Sequence, residues 1–590
     1  MTLTDAVAEA EVATRPVSGA EAPDRPVRRW LRERRIDLFV ALGYLAIACF
    51  TMKHLLLEGT DQIAEGNPRG QSFGELMLLH GAHVMTRGQW PFLAGGVNFP
   101  DGVNPLAVHG FLGLSVPLTP LTLWLGPTRT YAIAATVCLV ATAYAWYHVL
   151  RKGFGRTRLA ALVGGAFAGL GPAIVAHTQG DLGRTALFLV PFLIWWTLRL
   201  REPGRAWRNG VLLGLLATWQ FFIDEEVLFL AVLGWLVFLV AYRFQHRAEL
   251  RQAAPAFLRG LGVAVLTWAV LVAYPLWTQF TAPRWRPNTA FAIPHQADFF
   301  SFFAFASPSL GTWPVGRVHY AAMATEQNAF YGWPLVLLLI GSLFVLRDTV
   351  VRALAGAGFV LALLSLGSRI TIKGRYVHVP GPWRLFQHIP GLRAIPPVDL
   401  ALAVVPFAVL VLALLVQRGS ELVAELHRTR PEVPARIAWY GMLTAALVPL
   451  APAPVHSLSA PLPRFVTDGT WRSYVPAGTS MVTVPAGSIG STSFRWGVAT
   501  DLELSFAGAV LGDAVTTASG TAKPQNVPDK QRAAVLADLR HGRVAAVVLI
   551  QRPPEEAKVE DAMRKTTSNL LGFYPQWVDG VWLWDLRAVR

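Results

Sequence analysis

Apolar runs of about twenty residues, split by short polar segments, recur through most of the chain. A run of that length crosses the hydrocarbon core of a bilayer as one α-helix. The first covers Ile36 to Leu57, and others centre on 129–150, 159–176, 185–199, 210–223, 227–243, 258–280, 330–346, 352–367, 398–417 and 436–453. The pattern predicts about eleven transmembrane helices. The apolar stretch 109–126 (HGFLGLSVPLTPLTLWLG) carries Pro117 and Pro120, which disfavour a regular helix, so it is expected to be re-entrant or interfacial. After Pro454 the periodicity changes. TSMVTVPAG (479–487) and GRVAAVVLIQR (542–552) read as strands, and Asp529 to His541 as a helix. The expected fold class is a polytopic α-helical membrane protein, residues 36–453, with a small C-terminal extracytoplasmic α/β or α+β domain, residues 454–590.

Composition fits this reading. The chain is 53% hydrophobic and 15% charged, against about 25% charged residues in soluble domains. A formal charge of +15 would suit nucleic acid, but the arginines fall in short segments between apolar runs: Arg151–Arg158, Arg199–Arg208, Arg243–Arg251, Arg347–Arg352 and Arg418–Arg436. That is the positive-inside pattern, and no basic stripe is interleaved with aromatics, so nucleic acid is not an expected partner. It predicts a cytoplasmic N-terminus, with residues 1–35 a disordered tail. Segments 58–128, 177–184, 224–226, 281–329 and 368–397, and the C-terminal domain, are then outside the cytoplasmic membrane. Cys49 and Cys138 lie inside apolar runs and read as buried hydrophobes.

The large outer loop 58–128 holds the first candidate chemistry. Asp61 and Glu65 follow the first span, and Glu75 lies on the run Ser72–Gly88, which reads as an amphipathic helix lining a lipid-facing groove. A second acidic group, Asp224-Glu225-Glu226, sits between two apolar runs, where either a helix cap or a catalytic or metal role fits. His177 and Asp181 share a short outer loop, and Asp298 and Glu326 lie in 281–329. Hard oxygen ligands with a histidine could hold Mg²⁺ or Mn²⁺, with Asp224 and Glu225 the first candidates. The loop 368–397, with Arg375 and Arg384, is basic yet external in this topology, either because a span is miscounted or because these residues meet phosphate. No Walker A loop, dinucleotide fingerprint or HExxH motif occurs.

The stretches FGELMLLHGAHVMTRGQWPF, NFPDGVNPLA, LRLREPGRAWRNGVLLGLLATWQFFIDEEVLF, FQHIPGLRAIPP and DGTWRSYVPAG, in this layout, resemble the GT-C superfamily of membrane glycosyltransferases, in its actinobacterial form. The resemblance implies sugar transfer from a lipid-linked, polyprenyl-phosphate donor to an extracytoplasmic glycan or lipid acceptor. It makes Asp61 and Glu75 candidate bases and Asp224, Glu225 and Glu226 a second acidic site. The chain departs from the pattern at Gly70, where an acid is expected. A non-catalytic scaffold or lipid-glycan binder therefore stays open, as does a transporter, against which the uncharged span centres count. Trp471, Trp496, Trp577, Trp582 and Trp584 could stack on sugars or fill a core.

Overall fold

A computed structural model describes residues 26–590 apart from 109, 203, 245, 282–294, 313–319, 322, 390–391, 393–394, 431–433, 485–489, 508–510, 512–514, 516–523, 525–527 and 590. The expected N-terminal tail up to residue 25, and Arg393 of the basic loop, lie outside the described residues. The rest of that expected tail is helical, because the first helix runs Pro26–Thr51.

The chain falls into two compact units. A helical unit takes Met1–Leu56, Ile133–Leu271 and Pro294–His456. A sheet unit takes Leu57–Ala132, Val272–Ile293 and Ser457–Arg590.

Among the described residues six helices are long and apolar enough to cross a membrane: Pro127–Gly153, Arg158–His177, Glu225–Arg243, Arg247–Thr281, Ala324–Val345 and Pro397–Thr429. Thr349–Ser365 and Ala435–Leu450 are shorter apolar helices. The expected count of about eleven is not confirmed. The 109–126 stretch forms two short helices, Leu112–Ser115 and Thr119–Leu125. The 185–199 run restarts as Val190–Arg199, with Pro191 in its first turn. Proline suits that position because a first-turn N–H has no helical partner to lose. Within the helical unit a Cβ at Gly169 would lie 2.3 Å from the backbone nitrogen of Ala143. Only glycine lets the Arg158–Leu170 helix approach Pro127–His148 so closely.

The strands among the described residues are, in chain order, β1 (Gln62–Ala64), β2 (Val97–Phe99), β3 (Arg369–Ile372), β4 (Arg375–Pro380), β5 (Ser457–Ser459), β6 (Ser480–Val484), β7 (Phe506–Ala507), β8 (Val544–Ile550), β9 (Gln576–Val578) and β10 (Val581–Asp585). β3 and β4 form a hairpin in the helical unit. The others belong to the sheet unit, whose main sheet has the order β2-β7-β6-β8-β10-β9. β2, β7, β6 and β8 are parallel, and β8, β10 and β9 antiparallel. β8, VAAVVLI, is buried on both faces, as a central strand covered on both sides must be. One face packs Val547 and Leu549 against Val535, Leu539 and Met563. The other packs Ala546 and Val548 against Phe465, Trp471 and Trp496. Trp471, Trp496 and Trp584 are therefore core residues, whereas Trp577 is 46% exposed.

Two features of this unit differ from the sequence reading. The edge strand β2 comes from the first large loop, and β1 of that loop pairs with β5. The Pro68–Arg87 helix is not a lipid-facing surface. It buries Glu75, Leu76, His80 and His83 alike, with Phe73 edge-on to Phe494 of the Gly490–Ala499 helix at 5.5 Å. Its polar stripe is taken up by hydrogen bonds, so amphipathic spacing does not mean a wet face here.

Candidate functional site

The helical unit gathers its acids around one guanidinium. Asp181 caps the short helix Leu182–Thr185, accepting from the Arg184 N–H at 3.1 Å. The Arg184 side chain donates to Asp399 Oδ1 at 3.2 Å and to Glu226 Oε2 at 2.5 Å. Its Nε lies 3.4 Å from Asp181 Oδ2 and 4.0 Å from Asp224 Oδ2. Burial alone would pull the guanidinium down, but the surrounding carboxylates outweigh it and hold Arg184 charged, well above its ordinary value. Asp224 is the N-cap of Glu225–Arg243, and its Oδ1 accepts from the Val227 N–H at 3.0 Å. A Cβ at Gly183 would lie 3.1 Å from both Asp224 Oδ2 and the Ile223 carbonyl, a tight contact that glycine avoids.

His177 joins the group from the end of Pro172–His177. It is fully buried rather than displayed on a loop. Its Nε2 lies 2.7 Å from Asn328 Oδ1, and its Nδ1 is buried 3.9 Å from Asp181 Oδ2 with no hydrogen-bond partner. Asn328 in turn donates to Asp399 Oδ1 at 3.2 Å. Glu326 pairs with His295, and that hydrogen bond raises the imidazole above its ordinary range. The His295 carbonyl accepts from the Val398 N–H, next to Asp399.

The remaining candidates lie apart from this cluster's hydrogen bonds. Both Asp298 oxygens accept from backbone N–H groups, of Phe300 and of Gly374 in the β3–β4 turn, each at 2.8 Å. Its role is to hold the hairpin. Arg375 and Arg384 are exposed, and Glu225 is half-buried. In the sheet unit, Asp61 is 60% exposed and 3.9 Å from Arg495. Glu75 is 1% exposed, accepting from Gln71 at 2.9 Å and Thr128 at 3.1 Å. Burial raises the Glu75 carboxyl, and its hydrogen bonds and Arg495 only partly offset this.

Arg184 and Asp399 were missed by sequence reasoning. The signal that could have found Asp399 is its place as an acid at the head of an apolar run (PPVDLALAVV), where ionisable groups are costly and need a reason.

The expected metal does not fit these residues. Among the described residues no group of three or more His, Cys, Asp or Glu side chains could hold an ion. Asp224 Oδ1 is used in capping, and Arg184 fills the space between the carboxylates. The result is a dense, mostly buried set of proton-accepting oxygens held by one cation, with Asp181, 25% exposed, as its solvent-facing member.

No family model matches the sequence. No curated protein matches it either. Solved structures do. The apo oligosaccharyltransferase of Archaeoglobus fulgidus superimposes with a TM-score of 0.50 at 12% identity, over 87% of this chain and 69% of that one. The arabinofuranosyltransferase AftD from mycobacteria superimposes with a TM-score of 0.51 at 13% identity, over 94% of this chain and 40% of that one. The chain thus spans less than half of AftD. At such identities the likeness is one of fold alone, shared with these two glycosyltransferases.

Proposed function

We propose that this protein is a membrane glycosyltransferase that moves a sugar from a polyprenyl-phosphate donor to a glycan or lipid acceptor outside the cytoplasmic membrane. The observation that carries the reading is the Arg184 cluster, a costly concentration of buried charge within a GT-C fold. Charge of this kind at span ends is retained where it serves a function. In this scheme a carboxylate takes the acceptor hydroxyl proton. The acceptor oxygen forms a bond to the anomeric carbon as the carbon–phosphate oxygen bond breaks, and polyprenyl phosphate leaves with the bonding electrons. Asp181, the solvent-facing member of the Arg184 cluster, is our preferred base. Glu75 is a positioning residue, fixing Gln71 and Thr128. Arg375 and Arg384, both exposed on the same outer loop, balance the phosphate charge. His177 is buried behind Asp181, with Nδ1 3.9 Å from its carboxylate. No step is routed through a metal. The N-terminus is cytoplasmic, and residues 454–590 lie outside the membrane.

A second reading, lipid-glycan binding without turnover, is favoured by the burial of Glu75 beside a Gly70 that offers no acid. Purified protein incubated with a polyprenyl-phosphate sugar and an acceptor separates the two. Release of polyprenyl phosphate that is lost in Asp181→Asn supports transfer. Tight donor binding with no release supports the binder.

A further inference from the structure

The helical unit contains an elongated cavity of about 200 Å³ that the reaction above does not use. Its walls are apolar, with Trp146, Leu187, Gly234, Trp235, Phe407 and Leu414 among them. Along Glu225–Arg243 the lining runs from Val227 to Phe238, and along Pro397–Thr429 from Leu402 to Leu414. At 1.5 Å rise per residue both paths give a length of roughly 17 Å. A slot of this length with apolar walls suits a hydrocarbon chain.

The two ends differ in charge. One begins at Val227 and Leu402, beside Glu226 and Asp399, where four carboxylates meet one guanidinium. The other ends at Arg156 and Asp348. Arg156 donates to Gln417 at 3.3 Å, and Asp348 has Oδ1 engaged in capping Val350. A π-helical turn, Val149–Gly153, carries Arg151 and Lys152 to this end and turns Leu150 into the wall. Such turns are rare and gather where a helix is adapted to a task.

We propose that the cavity is the seat of one acyl chain of an anionic phospholipid, with its phosphate at the Arg151–Arg156 turn. Charge complementarity decides the direction, since the acidic end would repel a phosphate. The bound chain fills the space beneath the first turns of the two helices that carry Glu226 and Asp399. It is therefore a structural component of the unit. The proposal does not depend on sugar transfer.

The test is native mass spectrometry of the full chain released from mild detergent. We expect one retained anionic phospholipid. In Gly234→Leu, whose added Cβ would start 3.4 Å from the Phe407 ring, retention falls at least tenfold. In Arg156→Gln the retained lipid shifts towards zwitterionic species. Undiminished retention in Gly234→Leu, unchanged anionic preference in Arg156→Gln, no retained lipid, or retained polyprenyl phosphate in its place overturns the proposal. A second measurement needs no variant. A phospholipid with a diazirine in its acyl chain, in nanodiscs around the wild-type protein, should label peptides spanning 227–238 and 402–414. Labelling confined to outward residues such as Leu337 and Phe344 of Trp333–Val345 overturns it.

Discussion

Arg184 and Asp399 stand 215 residues apart in the chain and 3.2 Å apart in the fold. The same guanidinium reaches Glu226, so one side chain joins three separate segments of the helical unit. Removing a partner from a buried ion pair leaves uncompensated charge and costs about 3–5 kcal/mol. Arg184→Met should therefore destabilise the helical unit by about that amount, read as a large drop in thermal unfolding temperature in detergent. Arg184→Lys should recover only part of the loss, because an ammonium cannot serve Asp399 and Glu226 with the fork that a guanidinium provides.

Glu75 sets a pH dependence. Its folded carboxyl titrates above the ordinary 4.5 because it is buried. The folded state then binds more protons than the unfolded state between 4.5 and the raised value, so stability falls as pH rises through that window and is level above it. Glu75→Gln removes the titration and keeps acceptors and donors for Gln71 and Thr128. Its unfolding temperature should change less across that window than that of the wild type, and should match or exceed it at pH 8. A variant that tracks the wild-type slope would remove Glu75 as its source.

Asp501 has the opposite sign. Burial would raise its carboxyl, but hydrogen bonds from Arg87 and His83 outweigh this and hold it below 3.8. Its contribution is complete above 3.8 and is lost as pH falls through the lower folded value. The carboxylate is half exposed, so Asp501→Asn should cost about 1 kcal/mol or less at pH 7. Asparagine tolerates the positive φ of 52° at this site, so the backbone is retained. The readout is faster amide exchange at the C-terminal turns of Pro68–Arg87, with no change in Asp529–His541.

What the sequence made legible follows the range of the forces involved. Asp529–His541 was readable because it is bounded by Pro528 and Gly542 and keeps its period. β6 and β8 were readable as apolar runs rich in branched residues. The long apolar helices followed from run length alone. The partner of His83 was not readable, for it lies 418 residues further on. β2 is only three residues long and has no alternation to detect. In the candidate site, Asp181, Asp224 and Glu226 stood out as acids among apolar runs. Arg184, which holds them together, looked like one more basic residue until the fold brought Asp399 to it.

The shared sheet leads to the last prediction. β2 hydrogen-bonds to β7 in parallel, with Val97 opposite Phe506, and the Gly490–Ala499 helix covers Pro68–Arg87. Residues 454–590 expressed alone lack that strand and that helix. They would expose Phe494, the edge of β7 and one flank of the Trp496 core, and an open apolar edge drives aggregation. The isolated segment should therefore be insoluble or molten, with broad amide signals. Co-expression with residues 57–132 should restore a soluble complex and a cooperative unfolding transition. Two point changes sharpen the test. Phe73→Ala in the added fragment should weaken the complex through loss of its contact with Phe494. Leu57→Ala, at an 82% exposed position, should leave it unchanged. If 454–590 folds cooperatively without its partner, the first loop is an accessory to that sheet rather than part of its core.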